Sequence, residues 1–63
     1  SGGADIMIDP DLSYWDVAAL IPVVEGAGGV ITSTSGGNPL KEKSAVCTAG
    51  GALHEEVLRA LNA

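Results

Sequence analysis

"YWDVAALIPVVEGAGGVIT", residues 14–32, is the stretch whose reading decides the fold. From Val17 to Val24 it carries no charge and no hydroxyl. The apolar residues there run all round a helical wheel instead of forming one stripe, and such a helix is buried on most sides. Ser13 is a good N-cap, and Asp16, three residues on, holds the place a capping box gives to Glu or Gln. The pattern predicts a helix over Tyr14–Glu25, stopped by Gly26 to Gly29. Pro22 removes the bond its N–H would give the Ala18 carbonyl, so a kink is expected there.

Upstream, "ADIMID" alternates: Ala4, Ile6 and Ile8 point one way, Asp5, Met7 and Asp9 the other, which is strand periodicity. Asp9-Pro10-Asp11 ends that strand, since proline cannot continue a ladder. Downstream, "VITST" reads as a β-branched strand and "SGGNP" as a turn. "LKEK" reads as polar and exposed, and "SAVCTAG" as a strand buried around Val46. "ALHEEVLRALNA" closes the chain as an amphipathic helix. Leu53, Val57 and Leu61 recur on one face, and Glu55 and Arg59 form an i,i+4 pair on the other. The expected order is β-α-β-β-α, an α/β arrangement.

This order does not make a comfortable free-standing domain. A chain of 63 residues buries only about 60% of its extended surface. Cores below ~70–80 residues seldom yield more than ~3–5 kcal/mol without a staple. One cysteine and one histidine allow neither an internal disulfide nor a zinc site. Three short strands and one amphipathic helix cannot cover the first helix. Either the chain oligomerises through that helix or it is a piece of something larger, and the pattern favours the second.

Composition narrows the function. Hydrophobic residues make up 46% of the chain, with no Phe and one Trp, which suits an α/β interior and not a disordered tail. Three basic against eight acidic residues give a net charge of −5. Only Lys41 and Lys43 lie close together, so a phosphate backbone is not an expected partner. No apolar run reaches the ~18 residues of a membrane span. No basic, apolar leader is visible at the N-terminus. A reducing, cytoplasmic setting is the default expectation.

Two carboxylates have two readings each. Asp16 fits a first-turn acid that favours the positive end of the helix dipole. It also fits a ligand for a hard cation at a helix mouth, where Mg²⁺ uses one or two carboxylates plus substrate phosphate oxygens. Asp9, seven residues before it, fits a turn-initiating Asp before Pro, and equally a second carboxylate on the same rim. Trp15 is expected in core or lid packing. "GAGG" follows a helix and precedes a strand, the wrong order for a phosphate cradle, so it reads as a C-cap and tight turn. Cys47 is expected as a small buried hydrophobe and His54 as a surface residue. No triad is present.

Tyr14 to Thr32 resembles the C-terminal signature of the inositol monophosphatase family: an aromatic residue, Asp, a small-apolar helix, then Glu, a short Gly-rich turn and a strand. "ADIMIDPDLS", "GGNPL" and "SAVCTAGGALHEEVLRAL" are similar to that family's closing strands and helix, so the likeness spans nearly the whole chain. "ALIPVVEGAGGVIT" is most similar to histidinol-phosphatase-type members. The resemblance implies the C-terminal part of a layered α/β/α/β/α sandwich and a Mg²⁺-dependent phosphomonoesterase. It implies that Asp16 binds a catalytic metal. It implies that Asp9, where the family more often has Glu, contacts the hydroxyl or amine side of the substrate. The family's other metal ligands lie in upstream motifs that these residues lack; "DPDLS" is not one of them. Expected partners are a small phosphate monoester, first histidinol phosphate and then inositol monophosphate, the remaining polypeptide of the same enzyme, and further copies in a homo-oligomer. The alternative is a non-catalytic, acidic interaction module that buries its apolar helix against a partner.

Overall fold

The computed structural model describes residues 6–63. The elements run β1 (Ile6–Asp9), α1 (Tyr14–Gly26), β2 (Val30–Thr32), α2 (Pro39–Glu42), β3 (Ala45–Thr48) and α3 (Gly51–Leu61). The two expected helices and three expected strands are all present, and the chain is mixed α/β. The observed order departs from β-α-β-β-α by one short helix, α2. Asn38 caps it by accepting from the Leu40 N–H at 2.9 Å, and Pro39 supplies a preset φ in its first turn. A stretch expected as a polar, exposed connection therefore begins with a helical turn, and Leu40 is half-buried. The Ala4 and Asp5 part of the first strand lies outside the described residues.

β3 is the centre of the sheet, with β1 on one side and β2 on the other, both antiparallel to it. Every residue of β3 is buried. Side chains alternate across a strand, so the register assigns the faces. Met7 and Cys47 are opposite one another on one face. They share an open apolar cavity of about 430 Å³ with Leu20, Val23 and Val24 of α1. Thr32 and Thr48 lie on the other face, where both bond His54 of α3. One helix thus packs on each side of the sheet.

Helix α1 runs unbroken through Pro22. Its end is built as expected. Gly28 takes a φ of +81°, the left-handed conformation that glycine adopts without a Cβ penalty. The N–H groups of Gly28 and Gly29 then close the last turn onto the Glu25 and Val24 carbonyls, at 3.0 and 2.9 Å. Within this chain α1 buries only Val17 completely, while Trp15 is 78% and Val23 68% exposed. Trp15 does not pack against the core or a neighbouring element, contrary to expectation. Its ring stands edge-on to that of Tyr14, with centroids 5.4 Å apart. The sequence of α1 is that of a helix surrounded on most sides, and these residues surround it on one.

A second correction concerns His54. It is 3% exposed, not a surface residue. The packed face of α3 is centred on it, with Leu53, Val57 and Leu58 half-buried around it, while Leu61 remains 45% exposed. Glu55 and Arg59 do pair across one turn at 3.9 Å, both strongly exposed, a geometry that contributes little to stability.

Candidate functional site

The two candidate carboxylates flank the connection from β1 to α1. Asp9 is the last residue of β1 and is half-buried. Its Oδ1 accepts from the Asp11 N–H at 3.1 Å, an Asx turn that reverses the chain where Pro10 stops the ladder. The Leu12 N–H donates to the Lys43 carbonyl at 2.8 Å, which ties the connection to the approach to β3. Ser13 then caps α1: its Oγ accepts from the Asp16 N–H at 3.1 Å, and its carbonyl from the Val17 N–H at 3.1 Å.

Asp16 follows from this construction. Its backbone is fixed by the cap, and its neighbour Val17 is fully buried. Its carboxylate is exposed and makes no hydrogen bond among the described residues. The capping box is therefore half made: the serine serves the helix, and the acid does not return a bond to the Ser13 N–H. The oxygens of Asp16 remain free to accept from elsewhere, on a backbone that is held still. Asp9 uses one oxygen in its turn, and the other has no partner among the described residues.

Carboxylate oxygens are hard donors, the kind Mg²⁺ takes, and Mg²⁺ is commonly held by one or two carboxylates together with water and substrate phosphate. In donor chemistry Asp16 and Asp9 fit such an ion. In number they do not complete a site, since no group of three or more His, Cys, Asp or Glu converges among the described residues. Cys47 is no competitor. It is buried in the sheet, and burial pushes its thiol above the ordinary value.

Two polar constructions were not anticipated. One is the loop after β2. Ser33 is fully buried, and its Oγ accepts from the Gly37 N–H at 2.9 Å and lies 3.1 Å from the Ser35 hydroxyl. Ser35 donates to Glu42 at 2.7 Å. The Ser35 hydrogen bond, with a smaller one from Ser33, holds the Glu42 carboxyl below its usual value. The other is the Thr32–His54–Thr48 bridge. Hydroxyl-bearing residues at the ends of β2 and β3 were the available signal for both, but which buried group they meet depends on the strand register.

The inositol monophosphatase family model matches residues 1–63, and the chain belongs to that family. It is 50% identical over 62 residues to a histidinol-phosphatase of Mycobacterium tuberculosis, an alignment that takes in 98% of this chain and 24% of that protein. It is 38% identical over 61 residues to a histidinol-phosphatase of Streptomyces coelicolor, over 97% of this chain and 23% of the relative. A bifunctional phosphatase of Arabidopsis thaliana, IMPL2, chloroplastic, is 45% identical over 49 residues, 78% of this chain and 14% of that protein. The chain thus spans about a quarter of the length of the histidinol-phosphatases it matches. No solved structure matches it significantly. No helix among the described residues is long and apolar enough to cross a membrane. The comparisons lend the interaction-module alternative no support.

Proposed function

We propose that these residues are the C-terminal part of a Mg²⁺-dependent phosphatase that hydrolyses a small phosphate monoester, histidinol phosphate first and inositol monophosphate second. The observation that carries this reading is the 50% identity to a histidinol-phosphatase across nearly the whole chain. In this reading Asp16 binds the metal and Asp9 faces the hydroxyl or amine end of the substrate. Mg²⁺ would supply activation of the attacking water and stabilisation of the leaving oxygen.

The contribution of this chain is placement. Ser13 fixes the backbone of Asp16 and Val17 anchors the first turn of α1. A carboxylate so mounted loses little freedom when it binds, and the value of such a group depends on how closely it is held. The free oxygen of Asp9 would accept from an ammonium or hydroxyl. The remaining donors of the metal site would come from the rest of the enzyme, and the exposed side of α1 would pack against it. Taken alone, these residues would not be catalytic.

The test is phosphate release by the complete polypeptide, with histidinol phosphate and inositol monophosphate compared at saturating Mg²⁺. A kcat/KM favouring histidinol phosphate, lowered for that ester by Asp9→Asn, supports both the substrate and the role of Asp9. Equal turnover of both esters, unmoved by Asp9→Asn, would contradict them.

A further inference from the structure

The His54 ring lies between two hydroxyls from different strands. Its Nε2 is 2.8 Å from Thr32 Oγ1, and its Nδ1 is 2.9 Å from Thr48 Oγ1. Each hydroxyl also has a carbonyl in reach: Thr32 donates to Ser33 O at 2.8 Å, and Thr48 to Gly50 O at 3.0 Å. We propose that His54 is a neutral clasp, that its one ring proton is shared between the two threonines as two tautomers, and that a second proton loosens α3 from the sheet.

The proton count gives the first part. There are four contacts, and a neutral imidazole with two hydroxyls has three protons to fill them. If Nε2 carries the proton it donates to Thr32, which keeps its bond to Ser33 O. Thr48 must then turn from Gly50 O to the bare Nδ1. If Nδ1 carries the proton, the roles reverse. The two half-networks are nearly equal in length, so neither tautomer has a geometric advantage.

The second part follows from what surrounds the ring. Among the described residues an imidazolium could fill all four contacts, but only with neutral dipoles. On its face of the sheet β2 supplies Val30 and Thr32, β3 supplies Val46 and Thr48, and β1 supplies Ile6 and Ile8. Cys47, Met7 and Asp9 alternate to the other face. On α3 itself Glu55, Glu56 and Arg59 are exposed. A buried positive charge without a counter-charge is unfavourable. Burial accordingly lowers the ring below its ordinary value of 6.5. For a histidine so lowered, the contribution to stability is complete above that ordinary value. It is lost as the pH falls through the lower, folded one.

The experiment uses the complete polypeptide, labelled with ¹⁵N. At pH 7 a multiple-bond ¹H–¹⁵N correlation, with His54 assigned through its backbone, should place both ring nitrogens at shifts intermediate between bare and protonated. A single tautomer, or an imidazolium, would overturn the sharing. Amide exchange of α3, referenced to β3, is then followed from pH 7.5 to 5. Wild type should open more at the acid end, by up to roughly tenfold per pH unit between the unfolded and folded ring values, and His54→Gln should abolish that excess. Equal pH dependence in the two proteins would overturn the clasp. If the variant does not fold, the wild-type ring titration decides: a midpoint below 6.5 that coincides with opening of α3 supports it, and an ordinary midpoint refutes it.

Discussion

Replacing Gly29 by alanine tests the packing of the chain where α1 hands over to β2. A Cβ at Gly29 would stand 2.6 Å from the Thr48 carbonyl oxygen, 3.1 Å from Val24 Cγ1 and 3.3 Å from Val24 O. Two of the three are backbone atoms. Thr48 pairs with Val30 in the β2–β3 ladder, and Val24 O already accepts from the Gly29 N–H. Val24 O cannot withdraw without opening that hydrogen bond, and Thr48 is held in the central strand of the sheet. Overpacking of this kind costs about 1–3 kcal/mol. Against it, alanine restricts the unfolded chain, a gain of about 0.4–1 kcal/mol. The net expectation is a loss of about 1–2 kcal/mol. Gly26→Ala is the control: it lies in α1 with nothing within 4 Å of its Cβ. There alanine should be neutral or stabilising by up to about 1 kcal/mol. Urea unfolding of the complete polypeptide reads both, with the m-value checked for constancy. Equal stability of the two variants would refute the close approach of Gly29 to β3.

Ser13→Ala removes the side chain that accepts from the Asp16 N–H, and should cost about 0.5–2 kcal/mol in the same urea assay, with faster amide exchange confined to the first turn of α1. Glu42 is held below its usual carboxyl value by Ser35 and then Ser33, so the support it gives the loop is present above about pH 4.5 and lost as the pH falls through the lower, folded value. Exchange at Gly36 and Gly37 should therefore rise at acid pH in wild type, and Glu42→Gln should bring that rise to neutral pH.

Local chemistry made much of this fold legible. The capping serine, the alternation in β1, the proline that ends it and the glycines that stop α1 each act over a few residues, and each is found where the sequence places it. α2 was missed because "NPLKE" is too short to show a helical period, although the Asn-Pro cap was there to be read. His54 was misplaced for a different reason. A histidine near a helix start with no Ser or Cys nucleophile close in sequence reads as a surface residue, and only the pairing of β2 with β3 brings Thr32 and Thr48 to its two nitrogens. Trp15 shows the converse. Its type predicts burial, but the surface that would cover it is not among these residues. The same holds for the candidate site, where the sequence singled out Asp16 and Asp9 and the structure sets them at the two ends of one short connection. The remaining donors are beyond the reach of either.

The most direct test of the metal role is the Mg²⁺ dependence of phosphate release by the complete polypeptide carrying Asp16→Asn, beside Asp11→Asn, an exposed neighbour with the same change of charge. Asp16→Asn should lower turnover by more than roughly 10–100-fold, the loss that follows removal of even an outer partner of a metal ligand. It should also shift the activating Mg²⁺ concentration upward, with Asp11→Asn close to wild type. Turnover and Mg²⁺ dependence of Asp16→Asn matching those of Asp11→Asn would contradict the account.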